Sequence, residues 1–306
     1  MSANDSWGVE VMPSMRGRVA LITGANSGLG LAAAQALANG GAQVVMACRS
    51  AANGERARSE VLARTPAADV QVAQLDVSDL ASVRSFAERA LTAFDRVDLL
   101  INNARVMAIP RQLSADGFEM QFAVNHLGHF ALTGLLLPRL LATPGSRVVA
   151  IASIAARSGR IDFDDLTGER RYDPWRAYNQ SKLANLMFAF ELQRRLAQRG
   201  ATTAAIAAHP GASLTNLFAT PGAAFVKRVM SPLMRFFFQS ADAGVLPILY
   251  AGTAPEAKLG GYYGPANWNE MKGPPVPARV PAQALDGAVA ARLWEVSQEL
   301  TGVAYP

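Results

Sequence analysis

Tyr178 and Lys182 stand four residues apart in Tyr178-Asn-Gln-Ser-Lys182, at the head of a run that reads as a helix. Its apolar positions Leu183, Leu186, Phe190 and Leu196 recur at helical spacing, and Gly200 is a residue type suited to the position just past the end. Four residues put the phenol and the ammonium on one face, near enough to share a site. An isolated phenol ionises near pH ~10, too high for ready proton transfer at neutral pH; a neighbouring ammonium favours the phenolate and brings that value down. The chemistry on offer is proton transfer to or from an oxygen. A plain amphipathic helix with a half-exposed tyrosine and a snorkelling lysine gives the same pentapeptide. Lysine is scarce, however: the 306 residues hold four (Lys182, Lys227, Lys258, Lys272), and one falls at this position.

Further candidates lie upstream in a definite order. The β-branched and aliphatic run ending at Thr23 enters Gly24-Ala-Asn-Ser-Gly28-Leu-Gly30 and then the Ala-rich stretch Leu31–Ala38. Glycines there permit a tight turn, let backbone approach a pyrophosphate and present helix N-terminal amides to it. The spacing is GxxxGxG rather than GxGxxG, and a glycine-rich turn alone is weak evidence. A second strand over Gln43–Cys48 ends at Arg49, where a dinucleotide fold meets the adenosine ribose. An arginine suits a 2′-phosphate, so Arg49 points to NADP(H), with NAD(H) and a plain surface arginine as the alternatives. A third strand closes on Asp76, which can accept from an adenine amino group; Ser78 or Asp79 would cap the next helix. Asn125 sits inside the apolar stretch Phe122–Phe130, within a helix expected over 116–141. A buried amide needs partners, so it either caps a backbone irregularity near Gly128 or holds a water in an active site. Ser153 follows the strand Arg147–Ala152, at the edge where open α/β sheets bind ligands.

These motifs hang on a regular β-α-β-α alternation, the pattern of a doubly wound parallel sheet in an α/β fold. Half of the residues are hydrophobic, enough for one large core, and no linker or repeat divides the chain. The expectation is a lead-in over 1–15 and a single domain over 16–306, with the Pro-rich 274–281 stretch as a loop. The unusually apolar 214–238 segment, with Phe236, Phe237 and Phe238, reads as a lid over a lipophilic substrate; packing on the core and contact with a membrane surface are the alternatives. The single cysteine, Cys48, excludes a disulfide framework. His126, His129 and His209 lack companions at metal-ligand spacing, so no metal is assigned. The net charge of +5 is scattered, without a nucleic-acid motif. Neither a signal peptide nor a membrane span is expected, which suits a cytoplasmic protein.

Taken together, Thr23-Gly-Ala-Asn-Ser-Gly-Leu-Gly30, Asp76, Asn102-Asn-Ala104, Asn125, Ser153, Tyr178-xxx-Lys182 and Pro210-Gly211 resemble the short-chain dehydrogenase/reductase superfamily. The phrases Val124–Phe130, Gln180–Asn185 and His209-Pro-Gly211, with Arg49 after Cys48, look like its retinol dehydrogenase and protochlorophyllide reductase-like branch. The resemblance implies a Rossmann-type sheet of about seven strands with helices on both faces. It also implies NADP(H)-dependent carbonyl/alcohol chemistry. In it Tyr178 is the acid/base, Lys182 lowers the phenol pKa and binds the nicotinamide ribose, Ser153 polarises the substrate oxygen, and Asn125 holds a water that links Lys182 to solvent. Cofactor contacts would come from Gly24, Asn26, Ser27, Gly28, Leu29, Gly30, Arg49, Asp76, Val77, Asn103, Ala104, Tyr178, Lys182, Pro210, Gly211 and Ser213. One position departs from the pattern: Arg105 stands where the family usually has glycine after Asn-Asn-Ala, so it must turn outward or alter access to the nicotinamide half. A non-catalytic NADP(H) sensor or scaffold is the rival reading. A homodimer through the outer faces of the helices carrying Asn125 and Tyr178 would use Leu132, Leu136, Leu186, Phe188 and Phe190; the alternative is that these residues are core.

Overall fold

The computed structural model describes residues 7–211 and 239–305. Eight strands form one sheet in the order β3-β2-β1-β4-β5-β6-β7-β8. They are β1 (Val19–Thr23), β2 (Gln43–Cys48), β3 (Val70–Gln74), β4 (Leu99–Asn102), β5 (Arg147–Ile151), β6 (Ala204–Ala208), β7 (Tyr262–Asn267) and β8 (Lys272–Pro277). Neighbours pair in parallel from β3 across to β7, and β8 closes the edge antiparallel to β7. The central strands are short aliphatic runs because both faces are covered. Successive residues of β1 go to opposite cores: Val19 and Leu21 to one, Ala20 and Ile22 to the other.

Helices α1 (Gly28–Asn39) and α2 (Ala51–Arg64) contribute to the second core, while α3 (Leu80–Ala93), α5 (Gly128–Leu141) and α6 (Pro174–Gln198) contribute to the first. Asp79, rather than Ser78, caps α3 by accepting from the amides of Ala81 and Ser82. Asp173 caps α6 by accepting from Arg176 N at 2.7 Å, with Pro174 in the first turn. The helix expected over 116–141 is shorter and irregular. It opens with the single turn α4 (Met120–Phe122), passes through a π-helical turn at Ala123–Leu127, and becomes regular only as α5. Gly128 marks that junction because a Cβ there would stand 2.0 Å from the Val77 carbonyl oxygen.

The sheet has one strand more than expected. The stretch from Lys272 is rich in prolines and reads as a loop, yet it pairs along β7, with a register shift between Pro265 and Asn267. An edge position tolerates prolines that a central strand would not. The turn between these strands is unusual: Trp268, Asn269 and Glu270 all have left-handed backbone, with φ of 55°, 54° and 67°. Beyond the β6 end, α7 (Ala241–Gly244) and α8 (Leu246–Thr253) precede β7, and α9 (Gly287–Thr301) follows β8.

The proposed dimer face is corrected. Leu132, Leu136, Leu186 and Phe188 are buried within the single chain, and only Phe190 is half-buried. Phe130, Phe188, Trp294 and Tyr305 close over that region as a ring cluster, with centroids 4.4–5.9 Å apart for Phe130–Trp294, Phe188–Trp294 and Trp294–Tyr305. Among the described residues no helix is long and apolar enough to cross a membrane. The 214–238 segment read as a lid, and Ser213, lie outside the described residues.

Candidate active site

The order of strands reverses between β1 and β4, which opens a crevice at their carboxyl ends. A cleft of 180 Å³ lies there, lined by Gly24, Asn26, Ser27, Leu29, Arg49, Asp76, Val77, Asn103 and Ala104 among others. The sequence-derived cofactor residues of the N-terminal half thus come together. A larger opening of 1050 Å³, between Trp7–Ser14, α1 and Asp242–Leu246, holds none of them, so chemistry rather than size selects the site.

Gly24 and Gly28 have left-handed backbone, φ 65° and 55°, which glycine adopts without a Cβ penalty. The Ser27 side chain makes no bond to the first turn of α1, so that turn keeps its amides for an anion. Gly30 is forced to be small: a Cβ would stand 2.3 Å from the Gly24 carbonyl oxygen and 2.6 Å from Asn103 Nδ2. Arg49 is exposed at the rim, past the end of β2. Asp76 Oδ1 accepts from Ser78 N at 2.9 Å and from Ser78 Oγ at 2.6 Å, which fixes the carboxylate beside the cleft. These features fit a dinucleotide: a turn open to pyrophosphate, a cation at the ribose end and a carboxylate beside the base.

Behind the cleft is a brace that the sequence reading missed. Thr23 Oγ1 accepts from Asn103 N at 2.8 Å and Ala104 N at 2.9 Å, and Asn103 Nδ2 returns to the Thr23 carbonyl at 2.8 Å. The Thr23 hydroxyl lies 2.8 Å from His129 Nε2, and His129 Nδ1 lies 3.1 Å from the Asn125 carbonyl. The carbonyl can only accept, so Nδ1 carries the proton and Nε2 accepts from Thr23. Burial pushes the His129 pKa down to about 4, which keeps it in that neutral form. The signal was present in the sequence as His129 four residues after Asn125.

On the other side of the crevice, α6 carries Tyr178 and Lys182, and Ser153 follows β5. Ser153 Oγ accepts from Ala155 N at 3.2 Å, capping a short 3₁₀ helix over Ile154–Ser158, and lies near enough to the Tyr178 phenol to favour its ionised form. Tyr178 is buried, which raises its pKa; Arg105 and the Ser153 hydroxyl oppose that rise. Lys182 is fully buried, donates from Nζ to the Ile151 carbonyl at 3.0 Å, and sits 5.8 Å from the Tyr178 ring centroid. Burial, aided by Arg105, holds its pKa well below the ordinary value of 10.5.

Arg105 is the cation that opposes the rise in the Tyr178 pKa, while burial disfavours the charged form of Lys182. Arg105 does not turn outward: it lines the cleft, donates from Nη1 to Asn103 Oδ1 at 3.3 Å, and is felt by both Tyr178 and Lys182. The Asn125 side chain is tied to its neighbours. Its Oδ1 accepts from Val106 N at 2.9 Å, and its Nδ2 donates to Val106 O at 3.0 Å and Ser181 Oγ at 2.9 Å. The π-helical turn hands this amide to the Val106 backbone, and both Nδ2 hydrogens are used. The amide thus lies in the backbone irregularity that precedes Gly128.

Pro210 and Gly211 follow β6 at the same edge of the sheet, and Gly211 has φ of 65°. A Cβ there would stand 2.4 Å from the Met271 carbonyl oxygen, so the loop is pressed against the β7–β8 turn.

Comparison with known proteins identifies the family. The short chain dehydrogenase family model matches residues 18–223. Mouse retinol dehydrogenase 12 is 43% identical over 288 residues, covering 94% of this chain and 87% of that protein. Human retinol dehydrogenase 13 is 39% identical over 296 residues, covering 95% and 86%. Among solved structures, an uncharacterized protein from Mycobacterium paratuberculosis superposes with a TM-score of 0.82 at 44% identity, covering 98% of this chain and 99% of that one. A short chain dehydrogenase from Shigella flexneri complexed with NADP shares the fold, with a TM-score of 0.64 at 22% identity over 82% and 98% of the two chains. The chain therefore belongs to the short-chain dehydrogenase/reductase family, in its retinol dehydrogenase-like branch, an oxidoreductase lineage acting on CH–OH and carbonyl groups.

Proposed function

We propose that this protein is an NADP(H)-dependent oxidoreductase that interconverts a lipophilic ketone or aldehyde and its alcohol. The observation that carries the reading is the placement of Tyr178, Lys182 and Ser153 together, across the crevice from a cleft that reaches to Arg49. The nicotinamide, when bound, supplies or takes up the hydride. The chain's own residues manage the proton and the geometry. Tyr178 is a protonated phenol at neutral pH because burial raises its pKa, so in reduction its Oη gives a proton to the substrate oxygen. Ser153 orients that oxygen, and Lys182 fixes the wall formed by Ile151 while keeping donor capacity for a ribose hydroxyl. Asn103, Ala104 and the Thr23 brace shape the floor. A non-catalytic sensor would have no use for a buried acid paired with a serine at the crevice mouth.

The 2′-phosphate preference rests on Arg49, exposed and unburdened by the β2 core. Arg49→Asp is expected to weaken NADPH binding by about 1.5–3 kcal/mol, the worth of a charge-assisted contact, or roughly ten- to hundredfold. NADH binding should change little. Titration of both nucleotides against both chains decides it; equal affinities in the wild type would assign Arg49 another task.

Lipophilicity is supported by the names of the relatives, which are retinol dehydrogenases, and by Trp175, which is 54% exposed with its ring 6.2 Å from that of Tyr178. Across straight-chain aldehydes of increasing length, each further buried methylene should add about 0.8 kcal/mol to kcat/KM until the pocket is filled. A flat profile, or a preference for sugars and hydroxy acids, would remove the lipophilic assignment.

A further inference from the structure

His209 closes β6 immediately before Pro210 and Gly211, and its side chain is completely buried. Its two ring nitrogens have different partners. Nδ1 is 3.2 Å from Gly211 N, and Nε2 is 2.9 Å from Glu270 Oε2. A backbone N–H can only donate, so Nδ1 must be the acceptor and the single proton of a neutral imidazole sits on Nε2, aimed at Glu270. Burial lowers the His209 pKa, in keeping with that neutral form. The carboxylate of Glu270 is itself fixed from two further directions: Arg157 Nη2 lies 2.5 Å from Oε2, and Arg279 N donates to Oε1 at 2.9 Å.

The surrounding backbone is shaped to allow these contacts. Glu270 is the third of three consecutive left-handed residues, a conformation that costs energy in tryptophan and glutamate and persists only where the surroundings enforce it. A Cβ on Gly264 would fall 1.9 Å from His209 Nε2, so a glycine in β7 makes room for the imidazole. Gly211 lies against Met271 in the same manner. Gln239 Nε2 donates to the Pro210 carbonyl, leaving the loop held at both residues. Arg157 stands four residues after Ser153, so one carboxylate connects the loop after β6 to the segment that begins with the serine.

We infer that Glu270 is a positioning residue for the nicotinamide-side loop: by accepting the hydrogen bond of the His209 Nε2–H it leaves Nδ1 to hold the Gly211 amide, so the β7–β8 turn sets the shape of Pro210–Gly211. The inference rests on the proposed function in one respect, that this loop meets the nicotinamide half of the nucleotide. A purely structural ion pair would stabilise the turn and leave the choice of tautomer without effect on binding.

The test uses the full chain, ¹⁵N-labelled, with long-range ¹⁵N–¹H spectra to read the histidine tautomers; three histidines make assignment tractable. His209 is expected to carry its proton on Nε2 in the wild type and in Glu270→Gln, whose amide oxygen still accepts. Glu270→Ala should release the tautomer and weaken NADP⁺ binding roughly five- to tenfold, the loss of one such hydrogen bond. Binding of 2′,5′-ADP, which lacks the nicotinamide half, should stay as in the wild type, and Glu270→Gln should restore NADP⁺ affinity to within about twofold. The inference is overturned by a wild-type spectrum with the proton on Nδ1, which needs no variant to fold. It is also overturned if a folded Glu270→Ala binds NADP⁺ unchanged, or loses 2′,5′-ADP and NADP⁺ alike. A wild-type chain that binds no nicotinamide nucleotide overturns the proposed function as well, which separates the two failures.

Discussion

Tyr178→Phe is expected to reduce kcat by ~10²–10⁴, the usual worth of a positioned general acid, while nucleotide affinity stays within about twofold. The substitution removes one oxygen and leaves the ring in place against Trp175, 6.2 Å away centroid to centroid. Ser153 would remain, since its hydroxyl is anchored by Ala155 N, but it would have no acid to pair with. Loss of kcat at unchanged binding is the signature of an interaction made with the reacting oxygen and not with the resting complex. Stopped-flow reduction of a hydrophobic aldehyde by bound NADPH reads the chemical step directly. Full activity in the phenylalanine variant would take proton transfer away from this helix.

Lys182→Met should act in two opposite directions. Activity falls by roughly 10² or more, since the side chain props the Ile151 carbonyl and faces the Tyr178 ring, and small misplacements near the reacting atoms are costly. Stability rises, by roughly 0.5–2 kcal/mol, as is common when a functional group that strains the fold is removed. The reason is the burial of an amine next to Arg105, which holds the Lys182 pKa well below 10.5. Between its folded value and 10.5 the unfolded chain binds a proton that the native chain does not, so native stability grows with pH across that window. Above 10.5 the penalty vanishes; towards the folded value it reaches its full size. Urea denaturation at several pH values should therefore show a steeper gain with pH in the wild type than in the methionine variant. Equal slopes would mean that Lys182 is charged in the native state.

What could be read in advance depended on how local the determinant was. The β1 run and the glycines after it are contiguous, so strand, turn and helix were legible together, and the irregularity before Gly128 was announced by a polar amide in an apolar stretch. Arg105 was legible as a departure but not in its direction, because only the packed crevice decides which way a guanidinium turns. The partnership of His209 with Glu270 spans 61 residues and depends on a turn that no propensity favours, three left-handed residues without a glycine among them. Apolar residues at helical spacing on α5 and α6 fit a surface for a second copy or a core; they are core, and Trp294 and Tyr305, from the far end of the chain, pack on Phe188 there. Periodicity reports that a face is apolar and leaves open what covers it.

The prolines of β8 carry a consequence for self-association. A sheet that ends in a free strand offers a row of unpaired donors and acceptors to any other extended chain. Three of the six residues of β8, Pro274, Pro275 and Pro277, have no N–H to offer. That border is chemically blunted, and strand addition there would be starved of donors. The opposite border, β3, retains an amide at every position and exposes Gln71 and Gln74, while Arg58 and Arg89 donate to the Val70 and Gln74 carbonyls. Of the two borders among the described residues, β3 is therefore the one that keeps its full set of backbone donors.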